Sequence, residues 1–324
     1  MFRRLKKICD NIRFTDNIDL NEIEKMIDVQ YLEAMESFVP SANLVYTSFD
    51  GDFMSYLHDM LEYTIKEGYV PVNPEAALGY YVSTTSHSDE KVLVMMDCIK
   101  TELICDYMWI FNPKSGHMPE GVLAELMAWR NIKRSNVTAI DFFPEEIKHI
   151  DISSKFNTIE LDIYEIENYI QSRDSVEIEE INNKLLIPFE KEAIKNAYII
   201  ANFSNYKHID WARNYCYLRN ISPVCAHTLL PYHLYAKPGL GNIRYLIDRL
   251  SLMSRTDNMF FFTNRKNIDD ELKRLDVFSL CELYYALKYK SGENVNLIGW
   301  DEARVPKYIN QRQWALTSVE AEEV

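Results

Sequence analysis

The sequence contains little glycine and proline, with 9 Gly and 11 Pro among 324 residues. This scarcity excludes collagen-like, elastic and low-complexity proteins, while 47% hydrophobic and 26% charged residues are typical of globular domains with a buried core. The length is that of two domains of about 100–200 residues each. No run of about 18 apolar residues is present, and polar residues follow Met1–Asp10, so we expect neither a transmembrane helix nor a secretory signal peptide.

Positive side chains are fewer than negative ones. The sequence has 35 Lys and Arg against 49 Asp and Glu, so its formal net charge is −14. A negative surface repels phosphates, so we expect no general nucleic-acid binding and no binding to anionic membranes. The chain has no CxxC and no HExxH motif, and we predict neither a metal site nor a cofactor. The cysteines are scattered, several in apolar runs, as free thiols are in a reducing cytoplasm, where we place the protein: Cys9, Cys98, Cys105, Cys216, Cys225 and Cys281.

Strands alternate with helices along most of the chain, which predicts parallel sheets covered by helices. Residues 1–40 form a predicted N-terminal helical extension, with Asp19 and Asn21 as helix caps. A first α/β lobe is predicted over 41–145. Its strands are expected at 43–47, 69–72, 107–111 and 137–142, and its helices at 53–66, 91–105 and 121–130.

The acidic segment 146–192 connects this lobe to a second one, and its pattern fits either a charged helix or an irregular connection. The second lobe is predicted over 193–324. Its strands are expected at 197–201, 223–225, 258–263 and 295–298, and its helices at 210–219, 245–255 and 279–290. The expected fold class is therefore α/β, with two tandem Rossmann-like (flavodoxin-like) parallel-sheet lobes.

Individual residues recur at a fixed distance along the chain, which predicts an internal duplication. Pro71-Val72 matches Pro223-Val224 at an offset of 152 residues. The segment Met96-Asp97 to Phe111 matches Ile247-Asp248 to Phe262 at an offset of 151.

Ligands of doubly wound sheets lie at the carboxyl ends of the strands, so the residues that follow the strands are the ones to search. In the first lobe these segments are 46–50, 73–75 and 112–125. The last segment is the richest, because a polar turn at 112–117 leads into a helix whose first turns carry Glu125.

These residues resemble the nucleoside 2-deoxyribosyltransferases and the related nucleotide N-glycoside hydrolases. The resemblance is carried by Val45-Tyr46-Thr47-Ser48, Asp97, Asp106 and Gly121-Val-Leu-Ala-Glu125, and in the second lobe by Asp248, Asp257 and Asp276 to Glu282. The first copy departs from the family pattern at Thr47-Ser48 and Pro119. The second departs at Phe278, and no tyrosine is assigned there to the position of Tyr46.

The resemblance implies that Glu125 is a nucleophile, that Asp97 holds or protonates the leaving base, and that Tyr46 orients Glu125. It further implies a set of substrate-binding residues, some in a second or shared pocket: Asn73, Gly121, Asp248, Asp276 and Glu282. The ligand would be a nucleoside or nucleotide. A carboxylate can attack the anomeric carbon, and the intermediate then passes to water or to another base, two outcomes that the sequence does not distinguish.

The active sites of this family take residues from a neighbouring subunit, so the resemblance implies two lobes packed as a pseudo-dimer, with further homo-oligomerisation left open. Scarce glycine with abundant Asn, Ile, Lys and Tyr also resembles proteins of AT-rich bacteriophage genomes, which would place the protein in the cytoplasm of a host.

Plainer interpretations stand beside these. Asp106 and Asp257 precede strands, where aspartate commonly closes a turn. Glutamate is common on helix surfaces and tyrosine is common in protein cores, so Glu125 and Tyr46 also fit purely structural roles. Two other functions fit the sequence. In the first alternative the protein is catalytically inactive and binds a nucleotide or has a regulatory role. In the second it is an interaction protein that uses residues 1–40 and the acidic segment.

Overall fold

The computed structural model describes most of the chain between Ile18 and Gly299. The described residues are 18–41, 43–49, 51–74, 76, 88–111, 119–141, 157–173, 175–186, 195–202, 206–217, 219, 221–237, 239–263, 268–290 and 295–299. The predicted polar turn at 112–117 lies outside them.

The first half begins with two short helices, and strands and helices then alternate. In chain order the elements are α1 (Leu20–Lys25), α2 (Val29–Glu36), β1 (Leu44–Ser48), a 3-10 turn (Gly51–Tyr56), α3 (Leu57–Lys66), β2 (Val70–Val72), α4 (Ser88–Glu102), β3 (Tyr107–Phe111), α5 (Glu120–Ile132) and β4 (Val137–Asp141). Asp19 accepts a hydrogen bond from the backbone N–H of Asn21 and caps α1, as expected, while Asn21 lies inside the helix.

The predicted acidic connection contains regular structure: β5 (Asn157–Leu161), α6 (Ile163–Gln171), α7 (Ser175–Ile181) and a π-helical turn (Asn182–Leu186). The charged-helix interpretation of the acidic segment therefore holds for α7. The interpretation of the whole segment as a connection is wrong for β5, which pairs with β4 in antiparallel register. Exposed side chains at 158–160 explain why no hydrophobic pattern marks this edge strand.

The second half repeats the order of strands and helices. Its elements are β6 (Asn196–Ala201), α8 (Tyr206–Tyr217), β7 (Ser222–Val224), α9 (Ala226–Leu229), α10 (Tyr232–Tyr235), α11 (Gly241–Ser254), β8 (Asn258–Thr263), α12 (Ile268–Leu272), α13 (Val277–Tyr289) and β9 (Val295–Gly299). Gly239 and Gly241 have φ of +100° and +76° at the turn into α11, a conformation that favours glycine.

The two sheets share one strand order. The first is β2-β1-β3-β4-β5 and the second is β7-β6-β8-β9, and every pair except β4-β5 is parallel. Tyr46 pairs with Val72 and Met108, whereas Tyr198 pairs with Val224 and Met259. The α/β class and the parallel sheets are therefore as predicted, and these two tyrosines occupy the same register position.

The two halves contact each other reciprocally. Helix α4 packs against β7, and α11 packs against β2. Thr101 Oγ1 lies 3.0 Å from Ser222 Oγ, and Arg255 Nη2 donates to both carboxylate oxygens of Asp106 at 2.7 and 2.9 Å. One apolar core therefore contains residues of both halves.

The N-terminal helices complete this core by packing on the second half. Ile23 and Tyr31 are buried, and the Tyr31 ring meets Phe278 edge-on with centroids 5.9 Å apart. The Tyr284 hydroxyl donates to Glu24 at 2.7 Å. No described helix combines the length and apolar character needed to cross a bilayer.

Candidate functional site

A buried cluster at the carboxyl end of β1 joins Tyr46, Ser48 and Glu125. Tyr46 and Ser48 are two residues apart on a strand, so their side chains lie on the same face of the sheet. The Tyr46 hydroxyl donates to Glu125 Oε1 at 2.7 Å, and Ser48 Oγ donates to Oε2 at 2.5 Å. Glu125 is the sixth residue of the 13-residue helix α5 and is 5% exposed. The sequence predicted the roles of Tyr46 and Glu125, and the fold brings these two side chains together.

The environment of Glu125 favours the protonated acid. Burial raises the pKa of the Glu125 carboxyl to about 7, although the hydrogen bonds from Ser48 and Tyr46 oppose the rise. No lysine or arginine in the described part of the chain forms an ion pair with Glu125. A carboxyl group with such a pKa exchanges its proton near neutral pH, a property suited to catalysis.

The second half contains a matching pair with a different neighbour. The Tyr198 hydroxyl donates to Glu282 Oε1, and Glu282 is the sixth residue of the 13-residue helix α13. Arg249 Nε donates to the same oxygen at 2.5 Å, and the side chains of Arg249 and Glu282 are 1% and 0% exposed. Glu282 is therefore part of a fully buried ion pair through Oε1, while its Oε2 is buried and has no hydrogen-bond partner.

Tyr198 corrects the expectation that the second half has no counterpart of Tyr46. The strand register places it there, and the offset of 152 residues that relates Pro71 to Pro223 also relates Tyr46 to Tyr198. Sequence reasoning could have found it from that offset. Sequence reasoning also missed the contact between Ser48 and Glu125. The available signal was the position of Ser48 two residues after Tyr46 on β1, which places both side chains on one face of the sheet.

The two halves carry different residues at two equivalent positions of the fold near these glutamates. Cys98 lies nine residues before the start of β3, and Arg249 lies nine residues before the start of β8. Ser48 pairs with Ile110 in the first sheet, whereas Ile200 pairs with Phe261 at the same position of the second. The first glutamate thus accepts hydrogen bonds from the hydroxyls of Tyr46 and Ser48, whereas the second is paired with the guanidinium of Arg249.

Asn73 lies beside this cluster at the end of β2. Its side-chain amide donates to the carbonyl oxygen of Thr47 at 2.9 Å, and its Oδ1 accepts from the backbone N–H of Ala76 at 3.1 Å. Gly121 is the second residue of α5, and a Cβ built there would make an ordinary 3.6 Å contact with Met95 Sδ. The fold therefore places Asn73 next to the β1 residues, while nothing at Gly121 requires glycine.

Asp97 and Asp106 face the boundary between the halves. Asp97 Oδ1 lies 3.3 Å from Lys100 Nζ. Burial raises the pKa of the Cys216 thiol, and the nearby Asp97 carboxylate adds to the rise. Asp106 accepts a hydrogen bond from Leu44 N at 3.1 Å besides those from Arg255, a structural role in agreement with the plainer interpretation.

Asp248 and Asp276 have separate environments in the second half. Asp248 is fully buried, accepts from the Tyr235 hydroxyl at 2.8 Å and lies 2.7 Å from Arg244 Nε. Burial raises the pKa of Asp248 to about 6, although Arg244 opposes the rise.

Asp276 caps α13, accepting from the backbone N–H groups of Phe278 and Ser279, both at 3.0 Å. Burial opposes its ionisation, but the hydrogen bonds from His227 and Ser279 and the charge of Arg249 hold the pKa of Asp276 well below its usual range. This carboxylate therefore serves its own half as a helix cap and as a partner of His227.

A cavity of about 220 Å³ lies elsewhere, between α5, α6 and the segment that follows. Its lining includes Met127, Arg130, Glu167 and Asn182, and Arg130 Nη2 lies 2.6 Å from Glu167 Oε1. None of the predicted site residues lines it. Within the described ranges, no three His, Cys, Asp or Glu side chains cluster in a way that could hold a metal ion.

A scan against protein-family models and searches of the curated proteins and of the solved structures found no match to this chain.

Proposed function

We propose that the first half is a glycosidic-bond enzyme that cleaves a nucleoside or nucleotide, or transfers its sugar, through Glu125. The single observation that carries this proposal is the Tyr46–Glu125–Ser48 cluster, with hydrogen bonds of 2.7 and 2.5 Å and no ion pair between Glu125 and a cation of the described residues. A carboxylate held by two donors has one preferred orientation, which an attack on a sugar carbon requires.

The reaction has a defined proton balance. Ionised Glu125 attacks the anomeric carbon as the bond to the base breaks, and the base leaves with a proton. The glycosyl ester then reacts with water or with another base, and the proton that this attacking group loses returns to the acid that protonated the leaving base. Free sugar or a new nucleoside leaves, and the Glu125 carboxylate is regenerated. Asp97 is the acid that the resemblance suggests for the leaving base, and its Oδ1 lies 3.3 Å from Lys100 Nζ.

We also propose that the two halves arose by duplication of one Rossmann-like unit and pack as a pseudo-dimer. The common strand order, the equal register of Tyr46 and Tyr198, and the reciprocal packing of α4 and α11 support this proposal. The first copy would carry the reaction. The second would stabilise the fold, because its glutamate is neutralised by Arg249.

The alternative function is binding or regulation by a nucleotide without turnover. The observation that favours it is the protonated state that burial favours in Glu125, since a neutral acid can donate a hydrogen bond to a ligand but is a poor nucleophile.

The test is base release from nucleosides, deoxynucleosides and their 5′-monophosphates, with and without an acceptor base, followed by chromatography. We expect Glu125→Gln to reduce release by about a thousandfold or more, as loss of a nucleophile does. The matched control is Glu282→Gln, whose amide oxygen can still accept from Arg249; its turnover per folded molecule should stay near that of the wild type. Ligand binding with no product would instead favour the regulatory function, and equal losses in both variants would contradict the assignment to the first half.

A further inference from the structure

Cys225, His227 and Asp276 form a connected cluster in the second half. Cys225 directly follows β7, at the position that Asn73 has after β2. Its thiol forms a hydrogen bond with the His227 side chain, and His227 Nε2 lies 3.2 Å from Asp276 Oδ2. An imidazole held by a carboxylate can take the proton of a neighbouring thiol. The cluster therefore contains the groups that convert a thiol into a thiolate.

Two buried arginines add positive charge to this cluster. Arg249, which is paired with a glutamate, places its Nη2 3.4 Å from His227 Nδ1. Arg213 on α8 is 8% exposed, its Nη2 donates to the carbonyl oxygen of Ala76 at 3.0 Å, and its Nε has no acceptor in the described part of the chain. The charges of both arginines act on the Cys225 thiol. A buried cation with an unused donor favours the ionised form of such a thiol, because the thiolate offsets its charge.

The resulting electrostatics distinguish Cys225 from other thiols of the protein. Burial opposes ionisation of Cys225, yet the hydrogen bond and charge of His227, together with the two arginines, lower its pKa. Burial raises the pKa of three other thiols: Cys105, Cys216 and Cys281. Since the thiolate and not the thiol is the nucleophile, Cys225 is the reactive member of this set.

The cluster reaches solvent through its histidine and aspartate. Cys225 is 1% exposed, whereas the side chains of His227 and Asp276 are 22% and 42% exposed. The sulfur is therefore shielded from large substrates and lies behind an imidazole that solvent contacts. Hydrogen peroxide is little larger than water and reacts with thiolates, so it is the class of reagent that suits this site.

We propose that Cys225 is a modification site, which hydrogen peroxide oxidises to a sulfenic acid. His227 takes the thiol proton, and the thiolate attacks one oxygen of the peroxide. The S–O bond forms as the O–O bond breaks, so that sulfur is oxidised and peroxide is reduced. The leaving hydroxide takes the proton from His227 and departs as water, while Asp276 holds the imidazole ring. The inference is independent of the glycosidic-bond proposal, because it uses none of the residues that hold Glu125.

The experiment treats the wild-type protein with hydrogen peroxide in the presence of dimedone, which traps sulfenic acids, and maps the adducts by mass spectrometry after digestion. We expect the Cys225 peptide to carry about tenfold more adduct than the Cys216 peptide, or a larger excess. His227→Gln should slow formation of the Cys225 adduct by about tenfold or more. The matched control is His208→Gln, which replaces a partly buried histidine on α8 of the same half and should leave the rate unchanged.

A folded wild-type protein without an adduct on Cys225, or with one that forms only in denaturant, would overturn the inference. An unchanged rate in a folded His227→Gln variant would also overturn it, because the cluster would then not activate the thiol. If that variant does not fold, the wild-type map decides alone. Glu125→Gln should form the adduct at the wild-type rate, so that the failure of either proposal leaves the other standing.

Discussion

Glu125 and Glu282 occupy the same place in two similar sheets, yet their surroundings differ in charge. Each is the sixth residue of a 13-residue helix and accepts a hydrogen bond from a tyrosine on the central strand of its sheet. Glu282 is also paired with the buried Arg249, whereas Glu125 is held by neutral donors only. The comparison teaches that the backbone fixes where the carboxylate lies, while the neighbouring side chains decide whether it is paired with a cation or held by neutral hydroxyls.

A second difference between the halves lies one helical turn after Cys98 and Arg249. Glu102 stands five residues before β3 and Met253 five residues before β8. Glu102 is fully buried, and neither of its carboxyl oxygens has a hydrogen-bond partner. Burial, and then the charge of Glu125, raise the pKa of Glu102 well above its usual range, so this side chain is a neutral acid at the cost of stability. The first half thus contains two destabilising acids where the second has a methionine and an ion pair.

The largest effect on stability is expected from Arg249→Met. The change leaves Glu282 buried without its cation, and we expect the free energy of unfolding to fall by about 3–5 kcal/mol. Chemical denaturation measures it. The double variant Arg249→Met/Glu282→Gln should recover part of the loss, and a loss below about 1 kcal/mol would mean that the pair does not stabilise the second half.

The pH dependence of stability tests the raised pKa of Glu125. Because the pKa of Glu125 is raised from 4.5 to about 7, its contribution to stability is fully present below pH 4.5 and is lost as the pH rises through about 7. The stability of Glu125→Gln relative to the wild type should therefore increase by about 2–4 kcal/mol over this interval and then level off. Denaturation at a series of pH values tests this, and a relative stability that does not change with pH would show that folding does not raise the pKa of Glu125.

Glu102→Met should stabilise the protein by about 1–3 kcal/mol, because it removes an unpartnered acid and introduces the residue that the second half has at this position. Glu102→Gln is the control, since the amide stays polar and buried and should bring less stabilisation. Thermal and chemical unfolding of both variants measure the difference. A destabilised Glu102→Met variant would indicate that the acid has a partner in the folded protein.

The smallest effect is expected from Ser48→Ala, which removes one donor to ionised Glu125. The pKa of Glu125 should rise, because the Ser48 hydrogen bond lowers it, and the rising limb of kcat/KM against pH should move to higher pH with it. Tyr46→Phe removes the other donor and should shift the limb in the same direction. A limb that moves to lower pH, or stays in place in both variants, would contradict the assignment of this limb to Glu125.

Much of the fold follows from local patterns. The strands Tyr107–Phe111 and Asn258–Thr263 are predicted to the residue, because each is a short apolar run that begins directly after an aspartate. The pairing of Tyr46 with Glu125 was also within reach through the family resemblance. The strand at 157–161 was not, because an exposed edge strand is held by backbone hydrogen bonds that leave no apolar signature.

The different charges around Glu125 and Glu282 could be recognised only in the three-dimensional structure. Nothing in the sequence near Arg249 shows that its guanidinium enters the core, since arginine in a helix is usually exposed. The same applies to Arg213, whose contact with Ala76 crosses 137 residues of chain. Long-range contacts of this kind depend on how the halves pack, which residue spacing along one helix does not reveal.

The most direct test of the central claim is to trap the glycosyl intermediate. Wild-type protein would be mixed with the panel of nucleosides and 5′-monophosphates, quenched in acid within the first turnover, digested and mapped by mass spectrometry. A sugar adduct on the peptide that contains Glu125, with the Glu282 peptide unmodified, is the result that the different surroundings of the two glutamates predict. An adduct on Glu282, or base release that persists in Glu125→Gln, would contradict it.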